Sequence, residues 1–152
     1  MNYEIVTLQK KTLVGLTART SNNDPQMGKV IGGLWKRLFG ENIFATMKNK
    51  VNEHSIGLYS NYSSDASGEY DITVGCEVND AADIPQAAVV KTIPAGRYAK
   101  FVMFGDMMEA VGNAWQEIWG MPLERTFTGD FEEYVSTEES GGSEIHIYIA
   151  IK

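Results

Sequence analysis

The 152-residue sequence has one cysteine, two histidines, four prolines and fewer positive than negative side chains. Cys76 cannot form an internal disulfide, and with only His54 and His146 there is no set of soft ligands for zinc. Lys and Arg number 13 against 20 Asp and Glu, a formal net charge of −7. That balance repels nucleic-acid phosphate, whose binding needs clustered Lys and Arg. It favours cationic partners weakly, through the summed field. No apolar run is long enough to span a bilayer, and the N-terminus enters a strand pattern at once, without the layout of a signal peptide. Neither a Ser-His-Asp set, a phosphate-cradling glycine loop nor a metal-ligand cluster is legible. The reading is a bacterial-style cytoplasmic protein with no cofactor and no membrane or direct nucleic-acid partner.

What is present is a well-mixed globular composition: 43% hydrophobic, 22% charged and 11% aromatic residues. The length suits one domain spanning residues 1–152, with a core that needs no staples. Tyr3–Leu8 and Thr12–Arg19 read as a β-hairpin turning at Lys10-Lys11. Asp24-Pro25 marks a helix start, and Met27, Val30, Ile31, Leu34 and Leu38 recur at helical spacing up to Gly40. Gly28, Gly32 and Gly33 weaken that helix and suggest close backbone packing. Glu41–Glu53 reads as a loop with a short helical turn. Ser55–Tyr62 and Tyr70–Val78 follow as strands, the second with Tyr70, Ile72, Val74 and Cys76 on one face. Residues 79–86 form a polar connection.

The plan then repeats. Ala88–Ile93 and Arg97–Phe104 read as strands around the Pro94-Ala95-Gly96 turn. Asp106 reads as the cap of a helix whose stripe is Met108, Val111, Trp115 and Ile118, with Pro122 beyond its end. Phe131–Ser136 and Glu144–Ile151 are strands joined by a turn over 138–143. The expected fold class is α+β: two pseudo-symmetric β-β-α-β-β halves, about 1–79 and 86–152, forming antiparallel sheet with two main helices and a central groove.

Strand alternation puts Glu132 and Tyr134 on one face of their strand and Phe131, Glu133 and Val135 on the other. A carboxylate beside aromatics is a receptor for an organic cation; the same glutamates also suit a solvated surface. Ile145, Ile147, Ile149 and Ile151 face the core, leaving His146 and Tyr148 on the opposite face. Trp35 and Trp115 read as core first. Trp119 suits groove or core equally, and so do Tyr59 and Tyr148. His146 has no visible partner, and Cys76 reads as a small buried apolar residue.

Several segments together resemble the GyrI-like family, the effector-binding domain of AraC-type and MerR-type bacterial regulators, also found as free-standing proteins. They are Ile93-Pro94-Ala95-Gly96-Arg97-Tyr98 with Gly105, Ala114-Trp115, Ile118-Trp119-Gly120-Met121-Pro122, Phe131-Glu132-Glu133-Tyr134 and Glu144-Ile145-His146-Ile147-Tyr148. Ile56-Gly57-Leu58-Tyr59 and Glu69-Tyr70-Asp71 match in the first half, while Ala150 replaces a usual proline. The resemblance implies a stand-alone small-molecule-binding protein for drug-like, cationic aromatic ligands. It carries the groove carboxylate onto Glu132 and the aromatic walls onto Tyr59, Trp119 and Tyr134, with Tyr148 a further candidate from its strand. It also implies an alternative, a hydrolase of cyclopropane-bearing genotoxins in which Glu132 and Tyr134 act catalytically. A protein partner is a further possibility. With the first strand expected to begin at Tyr3, the reading leaves no room for the helix-turn-helix module of the family's regulators, and direct promoter binding is not expected.

Overall fold

The computed structural model describes residues 2–65, 67–105, 107–136 and 143–152. The expected cap Asp106 and the turn over 138–142 lie outside these residues. The elements are β1 (Glu4–Leu8), β2 (Lys11–Ser21), α1 (Met27–Gly40), α2 (Ile43–Thr46), β3 (Ser55–Ser60), β4 (Glu69–Val78), β5 (Val89–Ile93), β6 (Gly96–Gly105), α3 (Met107–Trp119), β7 (Asp130–Ser136) and β8 (Ser143–Ile151). All eight strands join one antiparallel sheet in the order β1-β6-β8-β7-β3-β4-β2-β5. The mixed α+β class and the antiparallel sheet are those expected from the sequence pattern.

The pairing differs from the expected hairpins at two places. β1 pairs with β6, not with β2, and β5 pairs with β2, not with β6. Each half therefore lends its first strand to the other. Exchanging β1 with β5, β2 with β6, β3 with β7 and β4 with β8 returns the same strand order read backwards. The topology thus has a pseudo-two-fold axis between the central strands β3 and β7. Their register centres on the pair Gly57–Glu132, flanked by Ile56–Glu133 and Leu58–Phe131.

The short connections curl the sheet. From Ile93 to Gly96 the chain takes three Cα steps, a reach of at most about 11 Å. In a flat sheet β5 and β6 stand six strands apart, roughly 29 Å. The Leu8–Lys11 link poses the same demand on β1 and β2. Curling brings the two edges together, and the concave face buries a core on itself: Leu13, Ile56, Leu58, Ile93, Tyr98, Phe131 and Tyr148, with no helix among them. Gly96, at φ 150°, turns the chain between the edges in a conformation that side chains rarely adopt.

The convex face carries the helices. α1 presents Leu34 and Leu38 to Val14, Leu16, Ile72, Val74 and Cys76 of β2 and β4. α3 presents Ala114 and Ile118 to Ala99, Phe101, Ile145, Ile147 and Ile149 of β6 and β8. Asp24 accepts the backbone N–H of Gln26 at 2.8 Å and so caps the turn ahead of α1; the helix itself starts at Met27, and its N-cap residue Gln26 makes no side-chain capping bond. The glycines of α1 do not serve close packing: nothing lies within 4 Å of a Cβ placed at Gly28, Gly32 or Gly33.

Candidate functional site

The groove between α1 and α3 has the pseudo-axis at its floor. Glu132, at the centre of β7, is 3% exposed. Its partner across the β3–β7 pairing is Gly57, where an added Cβ would lie 3.6 Å from Glu132 Oε2 and 3.2 Å from the Trp35 ring. The missing side chain makes room for the Trp35 ring, while against the carboxylate an added Cβ would stand in ordinary van der Waals contact.

Three neutral donors converge on that carboxylate. The Tyr59 hydroxyl donates to Oε1 at 2.9 Å and the Trp115 indole N–H to the same oxygen at 2.6 Å. The Tyr134 hydroxyl donates to Oε2 at 2.5 Å. Among the described residues no Lys, Arg or His stands within ion-pair distance of it. Burial holds the Glu132 carboxyl above the usual carboxylate range, and the bonds from Tyr134, Trp115 and Tyr59 pull it part of the way back. The Tyr59 and Tyr134 hydroxyls are pushed up by burial first and by the Glu132 charge second, so both stay protonated donors.

The rings extend the local symmetry. Trp115 meets Tyr59 edge-on with centroids 5.4 Å apart, and Trp35 meets Tyr134 edge-on at 5.3 Å. Above the Tyr59–Trp115 side opens a cavity of about 230 Å³. Met27 and Ile31 of α1 form one wall, Gly112, Trp115 and Trp119 of α3 the other, and Tyr62 and Tyr70 the end nearest β4. Trp119 is 49% exposed at the rim, 6.4 Å from Trp115.

A second polar centre sits one alternation away, at Asp130. It is 0% exposed and accepts from the Tyr62 hydroxyl at 2.6 Å, Arg125 Nη2 at 2.8 Å and the Ala150 backbone N–H at 2.8 Å. Arg125 also lies over the Phe127 ring at 4.4 Å and reaches the cavity wall.

The structure brings Glu132, Tyr134, Tyr59 and Trp119 to one face, with Glu132 and Tyr134 beneath the cavity rather than lining it. Tyr148 does not join them. It faces the concave side, stacked on Phe131 at 4.5 Å with an interplanar angle of 12°, because alternation in β8 assigns the helix face to the isoleucines. His146, read as having no partner, meets Glu144 at 2.6 Å, with Glu133 at 3.8 Å on that same concave side. Trp115, read as core, is a direct partner of the carboxylate. Tyr62 and Arg125 line the cavity without any signal of it in the sequence, and Tyr70, part of a family-matching segment, reads there only as a strand residue. Trp35 and Trp115, 80 positions apart on the two helices, were the one available hint that both tryptophans serve a repeated role.

Comparison with known proteins finds relatives along nearly the whole chain. The profile of Cass2, integron-associated effector binding protein, matches residues 4–151. The candidate transcriptional regulator YobU of Bacillus subtilis is 35% identical over 156 residues, covering 97% of this chain and 96% of YobU. The crystal structure of integron cassette protein VCH_CASS2 from the mobile metagenome of Vibrio cholerae is 27% identical with a TM-score of 0.81, covering 99% of this chain and 95% of that one. SAV2435, solved bound to tetraphenylphosphonium, shares the fold with a TM-score of 0.81 at 22% identity, covering 100% of this chain and 94% of its own.

Proposed function

The chain belongs to the Cass2 family of integron-associated effector-binding proteins, in keeping with its GyrI-like sequence pattern, and from that premise we propose that it binds lipophilic aromatic cations in the groove between α1 and α3. The observation that carries this reading is the Glu132 carboxylate: buried, held by three neutral donors, and without a cationic partner among the described residues. Burying an unpaired anion is costly. A ligand cation in the cavity above supplies the missing charge.

The rings transmit that charge. Tyr59 and Trp115 stand between the carboxylate and the cavity, donating to the former and lining the latter. Donation to an anion enriches the phenol and indole in electron density. Each face then contributes cation–π attraction of about 0.5 to 2 kcal/mol. SAV2435, which shares the fold, was solved with a phosphonium cation of this class. The net charge of −7 adds a weak long-range attraction.

The hydrolytic alternative asks for a carboxylate with a lone pair free to orient water near the substrate. Glu132 keeps a lone pair on Oε2, which accepts only from Tyr134, but the carboxylate lies beneath the cavity and meets it only through its partners' rings, which suits a charge anchor better than a base. In this reading the protein senses or sequesters its ligand, acting on a protein partner if on any macromolecule.

Isothermal titration with tetraphenylphosphonium tests the proposal. Saturable one-site binding, weakened by about 1.5 to 3 kcal/mol in Glu132→Gln, is expected from the usual worth of an interaction with a charged group. Absence of binding, or equal affinity in the variant, overturns it. Product analysis of the same mixtures with neutral ligands separates binding from turnover.

A further inference from the structure

A second cavity, of about 290 Å³, lies on the far side of Trp119. Asp65, Ser67, Trp119, Met121, Arg125 and Phe127 line it. Trp119 and Arg125 line the first cavity as well, so these two side chains form the partition. The partition is unequal in its attachment. Arg125 is 10% exposed and anchored through Nη2 on Asp130, whereas Trp119 is half-exposed at the last residue of α3.

Arg125 carries an unmet demand. Its Nε is buried and has no hydrogen-bond partner. A buried donor left unpaired is destabilising, so an oxygen brought to it is favoured. The guanidinium lies over the Phe127 ring at 4.4 Å, and Arg125 and Phe127 both line the second cavity. The charge at this end is already balanced. Asp130 neutralises the guanidinium at 2.8 Å, and Asp65, tied to the Ser67 hydroxyl at 2.5 Å, adds negative charge to the opposite wall. A second anion is therefore disfavoured, and a neutral oxygen fits.

We propose that the groove continues past Trp119 into a second compartment that takes a neutral hydrogen-bond acceptor on an aromatic body, such as an amide carbonyl, at Arg125. Joined to the cation site, it makes the preferred ligand an elongated molecule, cationic at the Tyr59–Trp115 end and carbonyl-bearing at the other. That combined preference rests on the cation-binding reading; the compartment itself does not. Trp119 is then the specificity-determining residue between short and long ligands.

The test uses the full chain labelled with nitrogen-15 and N,N-dimethylbenzamide as the probe, with benzoate and toluene as charge and apolar controls. The amide is expected to shift the Arg125 Nε–H and Trp119 indole resonances saturably, at least threefold more tightly than either control, and equally when tetraphenylphosphonium occupies the first cavity. Met121→Trp, which fills only the second compartment, should abolish the shift while leaving tetraphenylphosphonium affinity unchanged. An unmoved Arg125 Nε–H in the unsubstituted protein overturns the proposal, as does benzoate or toluene binding as well as the amide. Amide binding without phosphonium binding upholds the compartment and overturns the cation reading instead.

Discussion

Tyr59 and Tyr134 hold opposite oxygens of one carboxylate: Tyr59 reaches Oε1 at 2.9 Å and Tyr134 reaches Oε2 at 2.5 Å. Tyr59 lies two residues past Gly57 on β3, and Tyr134 two residues past Glu132 on β7, so the pseudo-axis relates them. A symmetric pair of donors thus serves a single acceptor, and the asymmetry of the site lies in the central pair, glycine on one strand and glutamate on the other.

Tyr134→Phe removes one donor from a buried carboxylate while keeping the ring against Trp35. At neutral pH it should lower unfolding stability by about 1.5 to 3 kcal/mol, the range for a hydrogen bond to a charged group. Tyr59→Phe should cost a comparable amount and weaken tetraphenylphosphonium binding as well, since only Tyr59 lines the cavity. Urea unfolding and titration calorimetry on the two variants separate the roles. Equal effects on binding would contradict this account.

Glu132 and Glu133 provide an internal comparison. Glu133 points to the concave side and meets His54 at 3.0 Å, away from the groove. Glu132→Gln should weaken cation binding and Glu133→Gln should leave it within about twofold, as expected for a charge screened by distance and solvent. Parallel titrations of the two variants give the answer, and matching losses would exclude Glu132 as a specific anchor.

The pH dependence follows from the raised Glu132 carboxyl. Its folded pKa lies above the unfolded value of about 4.3, so its stabilising contribution is present below that pH and is lost as pH rises through the folded pKa. Glu132→Gln removes this loss. The stability of the variant relative to the unsubstituted protein should therefore grow with pH across that window and then level off. Affinity for a permanent cation should rise over the same window, because the cation favours the ionised form. Both trends can be followed by melting and titration from pH 4 upward, and a pH-independent difference would count against a raised pKa.

Gly112 lies on α3 at the cavity wall, with nothing within 4 Å of an added Cβ. Gly112→Ala should stabilise the protein by about 0.5 to 1 kcal/mol through helix propensity, with the methyl narrowing the groove. Gly33→Ala, equally unobstructed on α1 and absent from the cavity lining, should stabilise similarly without affecting binding. Thermal unfolding and phosphonium titration of both variants distinguish helix propensity from groove width.

With 20 acidic against 13 basic side chains, the purified chain is expected to show no sequence-specific shift of duplex DNA at moderate salt. A competed, sequence-dependent shift would be the contrary result.

The sequence by itself determined the elements and their faces. Alternation put Glu132 with Tyr134 and separated both from Phe131 and Glu133, and helical spacing found α1 and α3, because both periodicities are local properties of the backbone. Only the tertiary structure decided which strands pair. β1 and β5 each carry five residues that would suit a hairpin with the next strand as well as a pairing across the molecule, and their choice depends on a curl of the whole sheet. The same holds for the site. Trp115 satisfies an apolar helical stripe, so nothing local reveals that its indole N–H meets a carboxylate 17 residues later. Tyr148 has the composition of a site residue and lies on the wrong face, and Arg125 enters the groove from a loop without periodicity. Contacts among distant residues are set by where the axis falls, and the axis passes through a glycine and a glutamate whose pairing no window of the sequence contains.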